Sequence, residues 1–206
     1  MAAPEGAGIG AVRFLCHGGT MQVKQAQADV RRIYRGGFAG PLVSALIWFA
    51  AAAVYQWGSS GTAMVVLFFG GMLIFPLSTL VLKIAGGPSS LPKGHPSIAL
   101  ATQTALTVPL GILVAIALGT YEPSLFFPAA LIIVGAHYLP FISLYGMWLF
   151  GALAGILATI GAVAMFWLPN LREVSGWIGA AVLLVSAVPL YLSYRASLGD
   201  EVPQPA

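Results

Sequence analysis

Charge is what this chain has least of: Asp, Glu, Lys and Arg make up only 7% of its 206 residues, where a soluble domain carries about a quarter. A soluble fold needs that polar coat, and apolar runs here continue for about twenty residues without a charge, so a separate soluble domain has no room. Cysteine is nearly absent as well. With Cys16 alone, neither an intrachain disulfide nor a thiolate metal cluster can form. Bulky Leu15 before it, with no apolar run ahead, excludes a lipidated signal peptide. Residues 1–20 are Gly- and Ala-rich whereas the stretch after Met21 is polar and basic, which puts the expected start of the protein at Met21.

Carboxylates are missing from every apolar run. That removes the paired Asp and the His-Glu zinc helix of intramembrane proteases, and no serine sits in a Gly-x-Ser-x-Gly frame. Of three histidines, His95 in the loop after the second apolar run has no nearby carboxylate or second ligand at metal spacing. The expectation is therefore a protein that is not an enzyme and uses neither metal nor cofactor. A net charge of +3 is too small and too localised to suggest nucleic acid; in such a chain the placement of Lys and Arg matters more than their sum.

What is present is apolar: 59% of the residues, with a mean hydropathy of +0.91. Six runs at 37–57, 61–81, 97–119, 124–144, 147–168 and 174–194 reach the roughly 20 residues that a helix needs to cross hydrocarbon. The fold expected is an all-α polytopic bundle of six membrane-spanning helices over 36–195, with a segment 1–35 before it and a short tail 196–206. Short turns make consecutive helices antiparallel neighbours. Threaded this way, eight of the nine Lys and Arg fall on one side and only Arg172 opposite, so the positive-inside bias puts both termini in the cytoplasm of a bacterial inner membrane. Lys24, Arg31, Arg32 and Arg35 precede the first span, where a topology signal belongs, and can also attract anionic headgroups. Trp57, Tyr121, Trp167, Trp177 and Tyr194 stand at span ends, the headgroup level that amphipathic aromatics prefer.

One titratable group interrupts the hydrocarbon. His137 lies in Gly135-Ala136-His137-Tyr138-Leu139-Pro140, and such a residue marks either a functional site or an interhelical hydrogen bond. In the preceding span Gln103, Thr107 and Gly111 share a helical face, and Gln103 and His137 both lie roughly 10 Å from the cytoplasmic ends of their helices. Gln103 is thus expected to meet His137, with Thr107, Tyr138, Ser78, Thr79 and Ser143 in the same half, forming a polar pocket open to the cytoplasm. Pro76, Pro140 and Pro189 bend helices toward that side, and Pro109 interrupts the third span. Gly71 and Pro76 repeat the spacing of Gly135 and Pro140, a hint of a duplicated hairpin. Gly151, Gly155 and Thr159, four residues apart, form a small-residue seam expected to pack inside the bundle, its other use being a homo-oligomer contact.

The blocks Phe69-Gly70-Gly71-Met72-Leu73-Ile74-Phe75-Pro76-Leu77, with Lys83 following, and Gly135 through Pro140, after Leu125 to Pro128, resemble a family of bacterial multi-pass membrane proteins of unknown function. Phe141 to Tyr145 is less polar than that family's turn and lacks its tryptophan, and His95-Pro96 replaces an Asn-Pro. The resemblance implies a membrane protein without an assigned activity, transfers no catalytic residue and draws attention to His137. Two readings follow. One is a transporter or sensor of a small polar solute held by Gln103, Thr107 and His137; the other is a non-catalytic scaffold or accessory subunit whose polar residues lock its helices.

Overall fold

The computed structural model describes residues 23–86 and 90–199; Cys16, the expected start at Met21 and the tail beyond 199 lie outside them. The described residues form seven α-helices and no strand: α1 (Val23–Ile33), α2 (Ala39–Trp57), α3 (Ser60–Ile84), α4 (Ser97–Tyr121), α5 (Phe126–Tyr145), α6 (Leu149–Phe166) and α7 (Ser175–Gly199). The last six coincide with helices long and apolar enough to cross a membrane. Pro76, Pro109, Pro140 and Pro189 all sit inside continuous helices. Pro109 therefore does not interrupt its span; α4 runs through it.

The spans close into a ring in chain order. α5 packs most extensively on α6, α2 joins α3 to α7, and α4 leans on α5, while α3 and α4 touch each other sparsely. Close approach of α5 and α6 rests on two glycines. A methyl group on Gly135 would stand 2.8 Å from the Ala154 carbonyl oxygen, and one on Gly161 would stand 2.6 Å from that of Pro128. Trp48, Phe126, Phe127, Leu131, Phe150, Leu157 and Leu183 fill the centre. α3 and α4 are the peripheral members: only 11% and 17% of their most apolar stretches are buried. The seam Gly151, Gly155, Thr159 divides: Gly151 packs on Ile142 of α5, 2.9 Å from where its Cβ would stand, and the other two face outward. Gly155 and Thr159 are exposed and a methyl on Gly155 would touch nothing, because α6 turns Leu153, Ala154, Leu157, Gly161 and Ala164 inward instead.

α1 is the element missing from the six-span expectation. Its Ala26, Val30 and Ile33 are buried, giving a short amphipathic helix laid against one end of the bundle. It is tied down by side chains that donate to helix-end carbonyls: Gln27 Nε2 to Ser143 (2.8 Å), Arg31 Nη1 to Tyr145 (2.6 Å) and Arg35 Nη2 to Ala85 (2.8 Å). These carbonyls close α5 and α3, where no intrahelical N–H remains to bond them and the helix dipole favours a cation. The chain then reverses into α2 through Arg35, Gly36 and Gly37, all at positive φ. At Gly36 a side chain would meet the Leu190 carbonyl at 2.7 Å, and at Gly37 the rings of Tyr145 and Phe150 at 2.9 Å. At the other end Arg172 does for α6 what Arg31 does for α5, donating to Ala164 (3.2 Å) and Met165 (2.7 Å) carbonyls.

Gly37→Ala is expected to lose at least about 2 kcal/mol, combining left-handed strain of roughly 1–2 kcal/mol with displaced aromatic rings. Gly155→Ala, with open space around it, should be neutral or gain up to about 1 kcal/mol. Unfolding of both variants in mixed detergent micelles measures the contrast.

Candidate functional site

The polar residues expected to gather around His137 divide into two groups. His137 Nδ1 lies 3.3 Å from Thr107 Oγ1, joining α5 to α4. Thr107 has one hydroxyl hydrogen, and it is donated to the Thr104 carbonyl at 2.7 Å. The Thr107 oxygen is therefore an acceptor toward the ring, Nδ1 carries the imidazole hydrogen, and Nε2 keeps a bare lone pair. Tyr138 lies beside Ser44 of α2. These groups border a cavity of about 80 Å³ between α2, α3, α4 and α5, in the half of the bundle next to α1. Its polar side is Ser44, His137 and Tyr138, and its apolar side is mainly Trp48, Leu67, Ile74, Ile112 and Phe141.

The other expected members are elsewhere. Gln103 is exposed and makes no hydrogen bond to His137. α4 buries Thr104, Ile112, Ala115 and Gly119, a stripe that puts position 103 about 100° of helical rotation off the inward face. Thr104, not Gln103, is the inward partner. Ser78 donates to the Ala39 carbonyl of α2 at 3.3 Å, a helix-pairing bond, and Thr79 turns back to the Phe75 carbonyl of its own helix at 2.9 Å. Ser143 is exposed, and only its carbonyl is used, by Gln27. Ser44 is the contributor that sequence reasoning missed. It had a signal: it is the one aliphatic hydroxyl in the first apolar run.

His95 also departs from expectation. It is buried, its Nδ1 accepts from the Ser97 backbone N–H at 3.2 Å, and its Nε2 points toward Asp29 Oδ2 of α1 at 3.7 Å without a hydrogen-bond partner. A carboxylate is thus close, brought from far away in sequence by the docking of α1. The approach sets α1 beside the loop that leads into α4. Among the described residues no third His, Cys, Asp or Glu joins it to make a metal site.

Residues 23–193 match a family of unknown function (DUF7010). The chain belongs to this family. The match takes in α1 and nearly all of the six spans. No curated protein and no solved structure matches the chain.

Thr107→Val removes the side-chain to side-chain bond between α4 and α5 while leaving the Thr104 backbone beside the His137 ring, and is expected to cost about 1 kcal/mol, the scale of interhelical hydrogen bonds in membranes. Gln103→Leu should change stability by less than about 0.5 kcal/mol. Equal losses in detergent unfolding would contradict this assignment of the inward face of α4.

Proposed function

We propose that this membrane protein is a transporter or sensor of a small molecule, and that its binding site is the cavity bounded by Ser44, His137 and Tyr138. One observation carries the reading: among the described residues His137 makes a side-chain hydrogen bond through Nδ1 and none through Nε2, in a bundle whose spans hold no Asp or Glu. A polar atom left unpaired at membrane depth costs free energy unless something binds it. The end that carries α1 is the cytoplasmic side of a bacterial inner membrane on this reading, supported by the seven Lys and Arg among the described residues on that side against Arg172 alone on the other. The reading is non-enzymatic. A histidine base needs a group that orients it and a nucleophile in reach; here the partner of Nδ1 is Thr107 rather than a carboxylate.

The alternative is a scaffold or accessory subunit. It is favoured by the outward face of Gly155 and Thr159, which a second copy or another helix can pack against, and by the structural bond that His137 already makes to Thr107.

Single-cysteine labelling separates the two. In a protein with Cys16 replaced by Ser, Ser44→Cys is treated with an impermeant methanethiosulfonate and, separately, with a membrane-partitioning maleimide. Exposed Lys24→Cys on α1 serves as control. Reaction with either reagent in the native bilayer is the result expected of a ligand site. Reaction with neither, while Lys24→Cys reacts, leaves the cavity closed and favours the scaffold.

A further inference from the structure

The walls of the cavity select a ligand class. We infer that the occupant is a neutral single-chain lipid with a terminal hydroxyl, entering sideways from the bilayer between α3 and α4. This rests on the reading of the cavity as a ligand site and deepens it by naming the chemistry and the route.

The first argument is the tautomer. Because Thr107 has donated its hydrogen to Thr104, His137 holds Thr107 through Nδ1–H and can offer a ligand only the Nε2 lone pair. The ligand must therefore donate. A carboxylate brings only oxygen lone pairs and meets repulsion. An ammonium can donate, but no Asp or Glu lies in any span to compensate the charge it would bring out of water. A hydroxyl fits on both counts. It donates to Nε2 and accepts from Ser44 or Tyr138, the other polar groups of the wall.

Size is the second argument. About 80 Å³ is far below the roughly 300–1,000 Å³ of pockets that enclose whole drug-sized molecules. It is room for a hydroxyl and the first few methylenes of a chain, lying against Trp48, Leu67 and Ile112, with the remaining chain outside in hydrocarbon.

The third is the route. α1 crosses the cytoplasmic-side end of the bundle, tied to α5 by Gln27 and Arg31 and to the end of α3 by Arg35, with Asp29 set beside His95 of the loop into α4. No residue of α1 lines the cavity, and no lining residue is an acid or a permanent cation. The flank between α3 and α4 is different. Those helices touch sparsely, and the lining residues Gly71, Ile74, Val108 and His137 along it are part-exposed. Gly71 keeps this side open, since a methyl group there would meet nothing within 4 Å. A molecule already dissolved in the bilayer reaches His137 along this flank, where neither α1 nor a charged side chain stands in its way.

The test uses full-length protein in phosphatidylcholine nanodiscs with Trp48 as the sole tryptophan, Trp57, Trp148, Trp167 and Trp177 being changed to Phe. Trp48 is 2% exposed and lines the cavity, so a bromine bound there lies closer to it than one in the surrounding lipid, and saturable quenching above the bilayer background reports occupancy. The probes are a long-chain alcohol brominated near its hydroxyl and its methyl ether brominated at the same carbons, which can accept but not donate. The alcohol is expected to quench Trp48 saturably, at a mole fraction about fivefold lower than the ether, the ratio one neutral hydrogen bond supplies. His137→Phe should abolish that preference. Gly71→Leu should abolish saturable quenching while leaving the melting temperature unchanged or higher. Equal quenching by ether and alcohol, or saturable quenching that survives Gly71→Leu, overturns the inference. If neither probe quenches but Ser44→Cys reacts with the impermeant reagent, the lipid ligand is wrong and the site reading stands; if Ser44→Cys reacts with neither reagent, both fall.

Discussion

Hydrocarbon offers no hydrogen bonds, and the arrangement of this protein follows from where its polar atoms find partners without water. Inside the spans the backbone bonds itself, which leaves the carbonyls at helix ends as the unpaid remainder. Arg31 and Gln27 reach those of α5, Arg35 the end of α3, and Arg172 that of α6. A guanidinium suits the task because it always carries its charge and presents several donors in a fixed plane. The basic residues are thus structural. Residues whose one-sided placement along the chain underlies the expected orientation also hold α1 against the bundle, and the docking of α1 in turn brings Asp29 to His95.

Six spans were legible because length and apolarity alone decide them. Which face of each span turns inward was less so. The spans are apolar all round, so periodicity carries little information about burial, and polar side chains were the remaining guide. That guide worked for Thr107 and His137, which meet. It failed for Gln103, one residue from the buried Thr104, because a polar residue in a membrane helix need not face the protein when it lies near the interface. Thr79 misled for another reason: a hydroxyl in a helix can bond the carbonyl four residues back and so needs no partner from outside. Sequence spacing could not reveal the approach of Asp29 to His95 either, since it depends on α1 folding back beneath the bundle.

Glycine shows why the cavity is more than loose packing. At Gly135 and Gly161 the backbone of a neighbouring helix occupies the space where a side chain would stand, and α5 and α6 are drawn together. At Gly40 and Gly71 the same residue type leaves that space empty, and both positions line the cavity. Alanine at either would keep the helix, favour it by up to about 1 kcal/mol, and begin to fill the void. A sequence selected only for a rigid bundle gains from that exchange at no steric cost. Retaining glycine there, opposite a histidine with one nitrogen bound and the other bare, gives up packing on the flank where the bilayer meets the site. Gly155 is as open but stands away from the cavity, so it is the position of Gly40 and Gly71 on the cavity wall that, on the proposed reading, gives their open space a use.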